Sequence, residues 1–266
     1  MRFVNKTWKS IRDGKPVFGL FCSNPSPLTV EMIGAAGYDF VILDMEHTLM
    51  SPDTLQHMIR AAESFGITPL VRIPERSPAL LLQVLDAGAQ GVVIPHVRGR
   101  EDVEQAVENC FYPPKGTRSL NGGRNAAFGG IPLLEAMERA NREVMCIPMI
   151  EDREGVENID EILEVDGISF VLEGAADLSA SYGVPWKTDH PLVKNALSHV
   201  WERADRAGVP FCAIPRNREQ MSMWWNRGVR VFVLGDDRGI AYRAMKAHLE
   251  QNLSEITVIG HEQATD

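Results

Sequence analysis

The chain has 266 residues, 44% of them hydrophobic, which is enough to bury one sizeable core. A formal net charge of −9 excludes the basic footprint of a nucleic-acid binder. No apolar run nears the ~20 residues that span a bilayer, and MRFVNKTWKSIRDGK lacks the apolar segment of a secretory signal, so a cytoplasmic protein with neither nucleic-acid nor membrane partners is expected.

Short β-rich apolar runs alternate with helically spaced segments along the chain. Val17–Cys22 is the first run, and Pro27–Gly37 follows as a helix stopped by Gly37. Tyr38–Leu43 is the second run, and Ser51–Phe65 is a helix opened by Ser51-Pro52. Thr68–Ile73, a helix over Ser77–Gly88, Gly91–Pro95 and a helix over Glu101–Cys110 come next. Phe111 to Gly130 is rich in Gly, Pro, Asn and Arg and reads as an irregular loop before a helix over Pro132–Arg142. Met145–Ile150 is the fifth run, Gly155–Val165 a helix, and Ile168–Leu172 the sixth run. A long helix over Pro191–Gly208, the run Phe211–Ile214, a helix over Arg218–Gly228, the run Val231–Leu234 and a helix over Ala241–Leu253 complete the set.

Eight runs separated by helices predict a single-domain α/β protein, a (β/α)₈ TIM barrel over 1–253 with a polar tail over 254–266. The competing open sheet is disfavoured because no G-x-G-x-x-G follows the first run. Cys22, Cys110, Cys146 and Cys212 are widely spaced and read as reduced core cysteines.

In a barrel the residues just after each strand form the mouth that carries chemistry. Those positions hold Asp44, Glu46 and His47, then Arg72, His96, Glu151, Glu173 with Asp177, Arg216, and Asp236 with Asp237. The opposite ends carry ordinary turns. Glu151 and Asp177 close neighbouring runs, and two carboxylates completed by water and a chelating substrate suit Mg²⁺, with Mn²⁺ or Ca²⁺ as alternatives. The competing account makes both acids helix N-terminal charges. Gly174-Ala175-Ala176 are small residues at a helix start, whose N–H groups suit a substrate carboxylate. Arg72 ends an otherwise apolar run and must face an anion, either a structural acid or a ligand. Asp44 precedes His47 by three positions, a spacing at which an Asp can orient a general base. Every Lys lies outside the eight runs, which disfavours a Schiff-base mechanism.

The segments GYDFVILDMEHT, LVRI, QVLDAGAQGVVIPHV, YPPKGTRS, PMIEDREGVENIDEIL and GAADLSASYG, in this order, resemble the HpcH/HpaI aldolase/citrate lyase family. That resemblance implies a barrel enzyme binding a divalent metal and a 2-oxo acid, often as a hexamer whose last helix is exchanged between subunits; a dimer is the smaller alternative. By motif it places the metal carboxylates on Glu151 and Asp177, the enolate-stabilising arginine on Arg72 and a base dyad on His47 with Asp44. Aldolases of the family read G-P-A-D where this chain has Gly174-Ala175-Ala176-Asp177, with an apolar residue in place of Glu173 and a Gln in place of Met149. FVLEGAADLS, GVPW, FCAIPR and FVLGDDRG are instead similar to a narrower branch, the citrate synthases of staphyloferrin B-type siderophore biosynthesis. The implied reaction condenses oxaloacetate with acetyl-CoA, with His47 or Glu173 as base. Arg124 and Arg216 are expected to contact CoA phosphates or the distal carboxylate. The alternatives are a class II aldolase cleaving 4-hydroxy-2-oxo acids and a barrel that binds a 2-oxo acid without turning it over. The joint presence of His47, Asp44 and Arg72 argues against the last.

Overall fold

The structure, a computed structural model, describes residues 4–262, with side chains as far as Ser254. Eight parallel strands close into a barrel in sequential order: β1 (Val17–Cys22), β2 (Phe40–Asp44), β3 (Thr68–Arg72), β4 (Gly91–Ile94), β5 (Met145–Ile150), β6 (Val171–Glu173), β7 (Phe211–Ala213) and β8 (Val231–Asp236). Alternate side chains divide between two cores. Val17, Phe40, Ile42, Leu70, Ile147 and Leu172 fill the interior, while Val41, Leu43, Val71, Val92, Ile150 and Val171 face the helices. That division explains why the strands read as continuous apolar runs: a parallel barrel strand is covered on both faces.

The helices are α1 (Lys6–Arg12), α2 (Pro27–Ala35), α3 (Pro52–Phe65), α4 (Pro78–Ala87), α5 (Arg100–Cys110), α6 (Leu133–Glu143), α7 (Arg153–Glu157), α8 (Ile159–Leu163), α9 (Ala175–Ser181), α10 (Pro191–Ala207), α11 (Arg218–Asn226) and α12 (Asp237–Glu262). Ser51 and Ser77 cap α3 and α4 through their hydroxyls, with Pro at the first helical position, and Gly66 and Gly88 close them in the left-handed conformation.

Four differences from the sequence reading have local causes. The N-terminal segment forms α1, capped by Asn5, and Ile11 plugs the interior from the closed end. The helix expected over Gly155–Val165 is two, parted at Asn158, whose side chain leaves the helix to donate to Arg98 O at 2.9 Å. β6 starts late because the Ser169 hydroxyl accepts the Cys146 N–H at 3.2 Å, leaving Ile168 on an isolated bridge. Finally, α12 starts at Asp237 and runs through Glu262, so much of the segment expected as a tail is helical; its last four residues lie outside the described residues. All four cysteines are free and buried, as expected.

Candidate active site at the barrel mouth

The strand registers place Asp44 beside Arg72 and Ile150 beside Glu173, so the acids and the arginine that close these strands share one rim. Arg72 is buried and held on several sides. Its Nε and Nη2 donate to the two oxygens of Asp44 at 3.0 and 2.8 Å, and Nη1 lies 3.0 Å from Glu46 Oε2. The guanidinium stacks over the Phe21 ring at 4.7 Å. Burial alone would raise the Asp44 carboxyl, but its bonds to Arg72 outweigh that and hold it below the ordinary range. Asp44 also accepts the backbone N–H groups of Glu46 and His47 at 3.1 and 3.3 Å and the Ser23 hydroxyl at 3.2 Å.

His47 meets Asp44 through its backbone N–H. Both Asp44 oxygens are committed to Arg72, Ser23 and the backbone, and the His47 ring instead lies 3.9 Å from Glu46. Arg72 therefore faces a structural acid, while each of its terminal nitrogens keeps a hydrogen for a ligand.

Glu151 is 1% exposed. Its Oε1 accepts the His96 N–H at 2.9 Å, and its Oε2 is buried with no hydrogen-bond partner among the described residues. Burial pushes this carboxyl up to about 7, against the lowering effect of the His96 N–H. Gly174 makes room for it: a Cβ there would stand 2.4 Å from Glu151 Cβ and 2.6 Å from Oε2. Asp177 sits exposed on the first turn of α9, directly after β6. Ala175 and Ala176 form the start of that turn, so the expected small-residue helix start is present. An orphaned buried carboxylate oxygen is the mark of a missing partner, and a divalent cation fits it. No set of three or more metal-ligating side chains forms among the described residues. The chain would thus supply Glu151 and Asp177, leaving the remaining positions to water and substrate, as Mg²⁺ prefers.

Glu173 is fully buried. One oxygen accepts the Ile214 N–H and the other lies 3.8 Å from Arg216 Nη1. Burial raises this carboxyl, with Arg216 and the Ile214 N–H acting in the opposite sense. Arg216 stands at the rim after β7, donating to Ile214 O at 3.0 Å. Arg124 does not reach the mouth of its own barrel. It pairs with Glu63 in the last turn of α3 and donates to Ala87 O at 3.3 Å, both at the opposite end of the strands, so the expected substrate contact is corrected within the chain.

Sequence reasoning placed Glu46 and His96 at the mouth without assigning them a role and did not single out Asp152. The structure joins them: His96 Nε2 lies 3.5 Å from Glu46 Oε1, and Nδ1 lies 3.0 Å from Asp152 Oδ2. The signal was present, since Glu46 and His96 both follow strands. Burial lowers the His96 ring's proton affinity, but Glu151, Asp152 and Glu46 outweigh it and raise the net value.

A closed parallel barrel with buried carboxylates and a clamped arginine gathered at its C-terminal mouth has the layout of an α/β-barrel enzyme. Residues 17–242 match the family model described as HpcH/HpaI aldolase/citrate lyase, and the chain belongs to that family. Among solved structures, it is 44% identical to the citrate synthase SbnG, covering 94% of this chain and 98% of that one at a TM-score of 0.89. Macrophomate synthase is 27% identical, with 94% and 89% coverage and a TM-score of 0.84. A 5-keto-4-deoxy-D-glucarate aldolase of Enterobacter sp. (strain 638) is 29% identical over 90% of this chain and 93% of its own. The chain is thus a carbon–carbon bond enzyme of the 2-oxo acid type.

Proposed function

We propose that the protein condenses oxaloacetate with acetyl-CoA to give citrate and CoA, in the cytoplasm and for siderophore assembly. The observation that carries the 2-oxo acid chemistry is the orphaned Oε2 of Glu151 on the rim that also holds the clamped Arg72. The higher identity to a citrate synthase than to the sugar-acid aldolase favours synthesis over cleavage.

Glu151 and Asp177 would hold a divalent cation, Mg²⁺ in the first instance. Bound there, such an ion supplies Lewis-acid polarisation of the 2-oxo group. The remaining work belongs to side chains. Arg72 offers its free terminal hydrogens to the carbonyl oxygen, which gains negative charge as the new bond forms. Because Asp44, Glu46 and Phe21 already fix the guanidinium, little reorganisation is needed at that moment. The first-turn N–H groups of Ala175 and Ala176 suit the substrate's 1-carboxylate. His47, half exposed on the rim beside Glu46, takes a methyl proton from acetyl-CoA. The resulting carbanion adds to the ketone carbon, the alkoxide is protonated, and water cleaves the thioester to release CoA. Arg216, on the same rim, meets the distal carboxylate or a CoA phosphate, and Glu173 holds Arg216 in place.

The curated relatives keep a second reading open, cleavage of 4-hydroxy-2-oxo acids to pyruvate. One assay separates the two: purified protein with Mg²⁺, oxaloacetate and acetyl-CoA, followed by free thiol and citrate. Thiol release with citrate is expected. Silence there together with pyruvate from 4-hydroxy-2-oxo acids overturns the synthase reading. Binding of a 2-oxo acid with no turnover of either kind would leave a binding barrel.

A further inference from the structure

We propose that His96 is a positioning residue that fixes the metal carboxylate Glu151, holding one oxygen on a left-handed backbone N–H so that only the other faces the mouth. This rests on the reading of Glu151 as a metal ligand.

His96 follows Ile94-Pro95 at the end of β4 and has a φ of 51°. That region is sparsely used by residues other than glycine, so it persists only where the surroundings over-determine it. Here they do. The neighbouring Val97 N–H stays with β5, donating to Met149 O at 3.3 Å. The His96 N–H instead turns to Glu151 Oε1 at 2.9 Å. On the other side of the kink, the His96 carbonyl accepts Arg76 Nη1 at 3.2 Å, and Arg76 is pinned by Asp102 at 2.9 Å. The Val97 carbonyl lies so close to Gly155 that a Cβ there would come within 2.2 Å. Even the ring is tied at both ends, to Asp152 at 3.0 Å and Glu46 at 3.5 Å.

Glu151 is consequently caught between two constraints. The His96 N–H takes Oε1, and the missing Cβ of Gly174 leaves space for Oε2. A carboxylate held this way presents one oxygen. That suits a small octahedral cation better than Ca²⁺, which accepts bidentate carboxylates.

The backbone, not the imidazole, is the main device, and this distinguishes the idea from a structural or acid–base role for the ring. Mn²⁺ is titrated into metal-free protein and its Kd read by electron paramagnetic resonance. H96G keeps the N–H and adopts the left-handed region freely, so its Kd should stay within about threefold of wild type. H96V resists that region and should weaken Mn²⁺ by about 10–100-fold, the range for groups that orient a ligand. Equal Kd values for the two variants, or a weaker H96G than H96V, overturn the proposal. If circular dichroism shows H96V unfolded, H96N and H96A replace the pair. Asn tolerates the left-handed region and should bind more tightly than Ala, and equal values again overturn the proposal. E151A separates this from the underlying reading: if it binds Mn²⁺ as wild type does, the ligand assignment fails and the proposal with it. If E151A abolishes binding, the His96 series judges the proposal alone.

Discussion

Arg72 and Asp44 form the contact on which the mouth's electrostatics turn. A bidentate pair between buried partners is sensitive to geometry as well as charge, so Arg72→Lys is not conservative. Lys keeps a positive charge but loses the fork, leaving Asp44 partly unpaired and the forming oxyanion with a displaced donor. We expect kcat to fall by about 10²–10³-fold with a smaller change in KM, the pattern of a lost transition-state contact. The same pair sets an acid limb of stability. Asp44's folded pKa is depressed, so its contribution is fully present above the ordinary carboxylate range and is lost as pH falls through the folded value. In the Lys variant the depression is weaker, so the acid loss should be smaller and complete at a higher pH, which urea midpoints measured between neutral and acid pH will show; coincident profiles would contradict the pairing. Some of this was legible in the sequence. An arginine ending an apolar strand had to face an anion, and Glu151 announced itself by closing another strand. The partner of Asp44 was not legible, because a three-residue spacing in a loop does not fix where a carboxylate points. His96's conformation was hidden for a similar reason: φ is set by what clamps the residue, not by its neighbours in sequence.

One element reaches the site without lining it. Asp237 opens α12 and accepts the Ser23 and Asn24 N–H groups at 2.8 and 3.1 Å. Ser23 in turn donates its hydroxyl to Asp44. The last helix thus anchors the loop after β1, and that loop steadies the acid that clamps Arg72. Cys22 feels the same carboxylate: burial, with Asp237 adding to it, pushes its thiol up to about 12, so it stays a protonated core residue at neutral pH. Asp237→Ala leaves two loop donors without a charged acceptor and should cost about 2–3 kcal/mol in urea unfolding. It should also lower kcat several-fold through Arg72, while Asp237→Asn, which keeps an acceptor oxygen, should recover part of both. Unchanged kcat in a destabilised Ala variant would show that the loop does not transmit to the site. At this scale the strands were the most legible part, since burial on both faces writes a continuous apolar run. Helix breaks were the least: Asn158 interrupts a segment whose apolar spacing is helical throughout, and it does so for a single bond to Arg98 O.

The whole molecule poses a question that its own chain does not answer. The helix α12 runs 26 residues, and its main contacts with the barrel are to β1 and β8. Tyr242, Met245 and Leu249 recur at helical spacing and are 67%, 68% and 60% exposed. An apolar stripe of this length facing water is costly unless covered, and a second copy of the chain is the cover that the family resemblance implies. The substitutions M245D and L249D together place charge in that stripe without touching the mouth. Sedimentation should then show wild type as a dimer or hexamer and the double variant as a smaller species. Because Asp237 sits on the same helix, the smaller species should also turn over more slowly, by loosening the loop that steadies Asp44. A wild-type monomer, or a double variant of unchanged mass, would remove the exchanged helix from the account. A smaller species with full activity would separate assembly from catalysis and confine the coupling to α12's first turn.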